Sequence, residues 1–229
     1  MIARTVFSLL EEAAARGADA AALHQPLPGE ARGRHQSYTW RQFHDISREV
    51  ACGLRRVGIQ KGDVVALHSE TRAEFYFADF GIMGSGAIAA ALYTSYPPPE
   101  HIKTLQASTA KLVFVDTPKA FQSLRTAGAD ALGVQWVLLT GEAEGALSFD
   151  DLRALGRRAL EDDPQFFDHL RSEIQPSGLA ILYLTSGATG EPKMGMVTHH
   201  ALVSNVDMGP KVVDLSPDDV ILAFLPCAH

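Results

Sequence analysis

The amino-acid sequence predicts an α/β fold in which layered, largely parallel sheets are flanked by helices. Short apolar runs occur at residues 64–67, 86–92, 111–115 and 135–139, and each run has the length of a buried strand. Segments with helical spacing separate these runs, and proline or glycine marks several of the boundaries. Strands that alternate with helices in this way favour a parallel sheet with helices on its faces.

Composition narrows the class of protein. The chain has 229 residues, of which 46% are hydrophobic and 21% charged, with a formal net charge of −7. This is typical of a globular protein, and the acidic balance speaks against nucleic acid as a partner. Cys52 and Cys227 are too few for a disulfide framework, which favours a reducing, cytoplasmic location. Residues 75–93 carry Asp79, so a buried helix and strand explain them better than a membrane span does.

We divide the chain, taken as one incomplete domain, into four segments. Residues 1–36 form a leading helix and an irregular connection, and residues 37–139 form the α/β part. Residues 140–177 are acidic and irregular, with helical pieces, and are predicted to be a surface excursion. Residues 178–229 hold a glycine-rich loop and the strand that follows it, which is predicted at residues 221–225.

Helix-terminating residues support the predicted helices. Thr39 and Gln42 match a capping box at the start of one helix, and Gly58 suits its C-terminal cap. Thr71 is predicted to cap the next helix, over residues 71–80. Two further helices are predicted at residues 97–108 and 119–127.

Two other patterns have a functional and a structural interpretation. Residues 84–89 (GSGAIA) match the dinucleotide fingerprint G-x-G-x-x-A, but they follow a helical run and enter a strand, whereas the fingerprint requires the opposite order. Tight helix–strand packing explains these glycines better. His199 and His200 are adjacent and point in different directions, so they do not form a chelating pair. A solvent-facing or helix-capping position is expected for both.

The strongest functional pattern is the stretch ILYLTSGATGEPKMGMVTHH at residues 181–200. Its glycines let the backbone approach a ligand closely, and successive free N–H groups form a concavity that binds anions. The candidate phosphate-binding residues are Thr185, Ser186, Gly187, Ala188, Thr189, Gly190 and Lys193. The Walker spacing is excluded, because no Ser or Thr follows the lysine. The structural alternative is an ordinary surface turn between two strands.

Residues 184–199 (LTSGATGEPKMGMVTH) resemble the phosphate loop Y-T-S-G-T-T-G-x-P-K-G-V-x-x-T-H of the adenylate-forming superfamily. Within that superfamily the sequence is most similar to the acyl-CoA synthetases, particularly the long-chain fatty-acid–CoA ligases. The ending Leu225-Pro226-x-x-His229 resembles the next motif of the family. Two departures occur within the loop: Ala188 replaces a threonine, and the glycine expected after Lys193 stands one position later, at Gly195.

The resemblance implies a reaction in which a carboxylate and ATP give an acyl adenylate and pyrophosphate, after which coenzyme A displaces AMP. The loop residues would hold the β- and γ-phosphates, and His229 would border the carboxylate site as the candidate catalytic residue. The family's magnesium-binding glutamate is not found after His200, so Mg²⁺ and coenzyme A are implied as cofactors without ligands in this chain.

The resemblance also implies partners. The implied substrate is a fatty acid or another carboxylate. Peripheral contact of the protein with a membrane is compatible with such a substrate. The C-terminal remainder of a synthetase is expected as a further partner. The alternative function is a truncated nucleotide-binding module without turnover.

Overall fold

The computed structural model of the chain describes residues 4–27, 33–186, 192–214, 216 and 218–227. Within those ranges the elements are, in chain order, α1 (Val6–Gly17), β1 (Ala21–Pro26), β2 (His35–Thr39), α2 (Trp40–Arg56), β3 (Val64–His68), α3 (Ala73–Gly84), β4 (Ile88–Ala91), α4 (Pro98–Ser108), β5 (Leu112–Val115), α5 (Pro118–Thr126), a 3₁₀ turn (Ala129–Leu132), β6 (Gln135–Leu138), β7 (Leu147–Ser148), α6 (Phe149–Asp162), α7 (Phe166–Ser172), β8 (Leu179–Ser186), β9 (Pro192–Thr198) and α8 (His199–Val212).

The main sheet has seven strands in the order β7-β6-β5-β3-β4-β8-β9. Every neighbouring pair is parallel except β8 and β9, which form an antiparallel hairpin. A parallel sheet needs helices on its faces, and its strands are therefore apolar along their whole length. The predicted α/β class is confirmed, as are the strands predicted at 64–67, 111–115 and 135–139.

Alternate residues of the strands face two separate cores. Val65 and Leu67 of β3 belong to the core that includes α1, α2 and α3. Val64 and Ala66 point the other way, into the core that α4 and α5 cover. The result is a three-layer arrangement in which the sheet separates two hydrophobic cores.

Helix α2 begins as the sequence predicts. The Thr39 hydroxyl accepts a hydrogen bond from the Gln42 backbone N–H (3.2 Å), and the Gln42 side chain accepts one from the Thr39 backbone N–H (2.9 Å). These reciprocal bonds satisfy two backbone donors that the first turn of a helix leaves free. Gly58 follows the end of the helix with a positive φ of 95°, which suits a C-terminal cap.

Residues 140–177 pack onto the core, which differs from the predicted surface excursion. Helix α6 lies against α2 so closely that a Cβ on Gly156 would overlap the backbone carbonyl of Glu49, and one on Gly53 would overlap that of Leu152. Buried side chains from this segment also belong to the core: Phe149, Leu152, Ala159, Phe167, Leu170 and Ile174. Charged residues of both signs lie between the apolar ones in α6 and α7, so the apolar pattern is less evident in the sequence.

Two local predictions within the N-terminal half of the chain are wrong. The predicted irregular connection contains the antiparallel pair β1–β2, whose side chains are exposed or half-buried. Helix α3 begins at Ala73 with Arg72 at its N-cap position, so Thr71 does not cap it. Thr71 instead donates a hydrogen bond to the backbone carbonyl of Leu225, at 3.2 Å.

The segment from α3 to β4 has the helix-then-strand order that the sequence predicts. Gly84 ends a helix and Gly86 precedes a strand, so the order required by the dinucleotide fingerprint is not met. Residues 75–93 are a helix and a strand, as predicted. In the part of the chain that the structure describes, no helix is long and apolar enough to span a membrane.

The predicted strand at residues 221–225 does not form. This stretch has no regular structure and pairs with none of the described strands. Its large side chains are exposed, with 75% for Ile221, 81% for Leu222 and 76% for Phe224. An apolar run forms a strand only where another strand edge can satisfy its backbone.

Candidate phosphate-loop site

The hairpin of β8 and β9 positions the candidate phosphate loop. Its register pairs Thr185 with Lys193 and Ser186 with Pro192, so the chain between them leaves and re-enters the sheet at one point. Because β8 is parallel to β4, that point lies at the carboxyl edge shared by the parallel strands. Ligands in α/β folds bind outside this edge.

The structure describes this site in part. The backbone of Thr185, Ser186 and Lys193 belongs to the two strands. Gly187, Ala188, Thr189 and Gly190 lie outside the described residues, as does His229. The register therefore brings the N-terminal hydroxyl residues of the loop and its lysine to the same end of the hairpin, and the roles of all seven residues stay predictions.

The base of the hairpin explains the displaced glycine. Gly195 lies opposite Tyr183 in the register, and a Cβ at this position would overlap the tyrosine ring. The Met194 side chain, one residue earlier, packs into the core covered by α4 and α5. The glycine therefore makes room for Tyr183, and Met194 secures the start of β9.

His199 fixes the helix that follows the hairpin. It is buried, with 1% of its surface exposed, and its Nδ1 accepts a hydrogen bond from the Val6 backbone N–H at 3.4 Å. Burial lowers its pKa to about 4, so the ring is neutral at physiological pH. A solvent-facing or capping position was expected for His199, and that expectation is wrong. Thr198 is the cap, accepting from the Ala201 N–H at 3.2 Å, and His200 is exposed.

Leu225 and Cys227 are held by the side chain of Thr71, a residue that was expected to cap helix α3. Besides donating to Leu225, the Thr71 hydroxyl accepts a hydrogen bond from the Cys227 thiol (3.4 Å). Tyr76 is affected by the same thiol: burial, and after it the neighbouring Cys227 side chain, raise the pKa of the Tyr76 phenol. Only its place three residues after the end of strand β3 could have indicated Thr71 from sequence, since polar residues just beyond that edge often serve a site.

The donor set fits a polyphosphate better than it fits a metal ion. Two hydroxyl residues and a lysine bracket the loop in sequence, and hydroxyl, ammonium and backbone N–H groups are hydrogen-bond donors to phosphate. Among the described residues, no group of three or more His, Cys, Asp or Glu side chains could hold a metal ion.

The fold and the hairpin are those of an AMP-binding enzyme. The model of the family described as "AMP-binding enzyme" matches residues 10–229, nearly the whole chain. The chain belongs to this family, and the resemblance of residues 184–199 to the adenylate-forming superfamily is confirmed.

Curated relatives include 4-coumarate–CoA ligase 3 of Oryza sativa subsp. japonica, which is 31% identical over 198 residues. The match covers 85% of this chain and 34% of that enzyme. 4-Coumarate–CoA ligase 3 of Arabidopsis thaliana is 32% identical over 201 residues, again covering 85% of this chain and 34% of the relative. The chain thus spans about a third of the length of these relatives.

Solved structures show the same fold. A long-chain-fatty-acid–CoA ligase (FadD1) from Archaeoglobus fulgidus superposes with a TM-score of 0.82 at 19% identity, covering 98% of this chain and 42% of that one. The N-terminal domain of FACL13 from Mycobacterium tuberculosis superposes with a TM-score of 0.79 at 24% identity, covering 99% of this chain and 52% of that one.

Proposed function

We propose that this chain is the N-terminal part of an ATP-dependent acid–CoA ligase and that it supplies the phosphate loop. The observation that carries the proposal is the β8–β9 register, which joins Thr185 to Lys193 across the open end of a hairpin in a member of the AMP-binding family. Hydroxyls, backbone N–H groups and one ammonium group at the carboxyl edge of a parallel sheet suit the β- and γ-phosphates of ATP.

In this function the loop contributes electrostatic stabilisation. Attack of a carboxylate on the α-phosphorus of ATP develops negative charge on the departing pyrophosphate. Lys193 and the loop N–H groups would bind that charge, and preorganised donors of this kind supply much of the catalysis in phosphoryl chemistry. Residues beyond this chain would hold Mg²⁺, which would share the negative charge of the phosphates. They would also bind coenzyme A, which would accept the acyl group.

The proposed acid is a fatty acid, on the likeness of the loop and of the Leu-Pro-x-x-His ending to the long-chain ligases. An aromatic acid is the second candidate, because the curated relatives at 31% and 32% identity are 4-coumarate–CoA ligases. We propose a cytoplasmic enzyme, with peripheral membrane contact where the acid is a long-chain one. Adenylate formation from palmitate and from 4-coumarate by the complete ligase separates the two candidates.

Nucleotide binding by this chain tests the loop directly. We expect Lys193→Ala and Thr185→Val to weaken binding of a non-hydrolysable ATP analogue about tenfold each, because a charge-assisted hydrogen bond is removed. Lys211→Ala is the matched control, since Lys211 is exposed on α8 and its substitution removes the same positive charge. Equal affinity of the Lys193→Ala variant and the control, measured by titration calorimetry, would contradict the proposed loop.

Turnover distinguishes the ligase from a nucleotide-binding module. We expect carboxylate-dependent ATP–pyrophosphate exchange by the complete ligase and far slower exchange by residues 1–229 alone, since the implied magnesium ligand lies beyond this chain. Nucleotide binding without exchange in any longer product of the same gene would favour the module.

A further inference from the structure

The β8–β9 hairpin contains a tyrosine directly opposite a glycine. Tyr183 of β8 and Gly195 of β9 are partners in the register, so they lie on the same face of the sheet. A Cβ on Gly195 would overlap the Cε1, Cζ and Oη atoms of Tyr183, so the outer edge of the ring covers the glycine backbone. Gly195 is not among the described glycines that have a positive φ. What requires glycine here is therefore the space that the ring occupies, and not the backbone conformation.

The residues on either side of Gly195 are both large. Met194 packs against the core that α4 and α5 cover, and Met196 is 68% exposed. A slip of the register by one residue in either direction would place a methionine opposite Tyr183, where the ring leaves no room for one. The tyrosine and the glycine thus specify a single register of the hairpin.

The position of the hairpin in the sheet explains why its register needs side chains to specify it. Strand β9 is the last strand of the seven, so β8 is its one strand partner among the described residues. A bulge between Leu179 and Ile181 also shifts the register near the start of β8. Backbone hydrogen bonds form in more than one register, so beyond the bulge the side chains decide between them. Two residues further along each strand, Thr185 and Lys193 are partners at the candidate phosphate loop.

The same two residues account for the way in which the hairpin departs from the family pattern. The pattern has its tyrosine at the position of Leu184 and its glycine at the position of Met194. The register pairs these two positions with each other as well. The chain therefore keeps a tyrosine opposite a glycine, but one residue further from the loop in each strand. Because neighbouring residues of a strand face opposite ways, this tyrosine and glycine lie on the other face of the sheet.

We propose that Tyr183 and Gly195 form one coupled unit, displaced together from the positions of the family pattern, which fixes the register of the hairpin. Tyr183 is a positioning residue in this sense, since the register sets which backbone groups of Thr185 and Lys193 lie opposite each other. The coupling is a property of the hairpin alone, whereas its effect on nucleotide binding rests on the proposed function. A binding site depends on this kind of support because small displacements of its groups weaken it.

Urea unfolding of this chain measures the coupling without any nucleotide. We expect Gly195→Val to raise the unfolding equilibrium constant about thirtyfold, because a side chain beneath the ring overpacks the hairpin. In a Tyr183→Ala background the same substitution meets no ring and should change the constant by less than about threefold. Met196→Val, at the exposed neighbouring position, is the matched control and should leave the constant unchanged in both backgrounds. An equal cost of Gly195→Val with and without the tyrosine ring overturns the coupling.

Transposition of the tyrosine and the glycine tests whether they act as a unit. A variant with their positions exchanged on both strands carries Tyr183→Leu, Leu184→Tyr, Met194→Gly and Gly195→Met. It again has a tyrosine opposite a glycine, and we expect it to bind a non-hydrolysable ATP analogue within about twofold of the unchanged chain. The exchange on one strand alone puts a tyrosine opposite a methionine and should weaken binding about tenfold, as measured by titration calorimetry. A loss in the fully exchanged variant as large as in the half-exchanged ones overturns the proposal that the two residues form one unit.

Substitutions of Tyr183 alone separate positioning from a general loss of stability. Tyr183→Phe keeps the ring over the glycine and should bind the ATP analogue as tightly as the unchanged chain. In the complete ligase we expect Tyr183→Ala to raise the KM for ATP about tenfold with the KM for the acid unchanged, because the substitution displaces only the phosphate side of the site. A lower kcat with both KM values unchanged would indicate a smaller folded fraction and overturns the positioning. If the unchanged chain binds no ATP analogue, the proposed function fails, and the unfolding measurements alone decide whether the two residues are coupled.

Discussion

Two regions of this chain have similar apolar sequences and opposite environments. In the parallel core, Leu67 of β3 and Val113 of β5 are completely buried. In the C-terminal stretch, defined here as residues 218–227, Val220 and Leu222 are more than four-fifths exposed. The residue types are the same, so hydrophobicity alone does not determine which apolar run becomes part of a core.

The difference lies in the partners that each backbone finds. Strand β3 pairs with β4 on one side and β5 on the other, so its N–H and C=O groups are satisfied and helices can cover both faces. The C-terminal stretch has no strand partner among the described residues, and Thr71 supplies its anchoring side-chain contact. Burial of an apolar run therefore follows strand pairing, because an unpaired backbone is costly to bury.

A pair of leucine substitutions is the strongest test of this comparison. We expect Leu67→Ala to lower the free energy of unfolding by about 3 kcal/mol, since it removes buried methyl groups and leaves a cavity. Leu222→Ala removes the same side-chain atoms at a position where they contact solvent. It should therefore change the free energy of unfolding by less than about 0.5 kcal/mol. Urea unfolding followed by circular dichroism measures both. Similar losses in the two variants would show that the C-terminal stretch is packed in solution.

Acid should weaken the core through two buried histidines. Burial lowers the pKa of His101 to about 4, with the neighbouring ring of His68 at 4.6 Å acting in the same direction. His199 is lowered to about 4 as well. An unfolded histidine titrates near 6.5, so between pH 6.5 and 4 the unfolded chain binds protons that the folded one does not. The free energy of unfolding should therefore fall as the pH falls, by at most roughly 3 kcal/mol per histidine.

The carboxyl group of Asp79 partly opposes this loss of stability in acid. Burial raises its pKa to about 7, so as the pH falls below 7 the folded chain binds a proton there before the unfolded chain does. We expect His101→Leu to shrink the loss of stability between pH 7 and pH 4.5 by about 2 kcal/mol. His200→Gln is the control, since His200 is exposed beside the buried His199. The same pH dependence in His101→Leu and in the control would show that His101 is protonated without cost in the folded chain.

The sequence predicted those parts of the fold that depend on local chemistry. The capping box of Thr39 and Gln42 needs only the spacing of two side chains, and the parallel strands need only uninterrupted apolar runs. The packing of α6 on α2 depends on Gly53 and Gly156, which are about a hundred positions apart, so no local pattern indicates it. The β1–β2 pair was missed because its side chains are largely exposed and carry no alternating pattern.

The candidate site divides in the same way. The loop residues from Thr185 to Lys193 are recognisable because their types and spacing are themselves the signal. Thr71 is distant in sequence from the stretch it holds, and an isolated threonine near a helix start is more simply explained as a cap. His199 was expected at a solvent-facing or capping position, because burial of a histidine depends on a partner, here the Val6 N–H, that only the tertiary structure provides.

The smallest expected effect concerns association rather than stability. Exposed side chains of the C-terminal stretch, Val220, Ile221, Leu222, Phe224 and Leu225, form a run of apolar surface that favours contact between molecules. We expect the chain to self-associate and Phe224→Ser to raise the dissociation constant about tenfold, with little change in the free energy of unfolding. Val206→Ser on α8 is the control, since Val206 is also exposed and lies outside the stretch. Sedimentation velocity over a concentration series measures the constant. A chain that stays monomeric at its highest soluble concentration would mean that these side chains are covered in solution, and the contrast with the parallel core would then be one of degree.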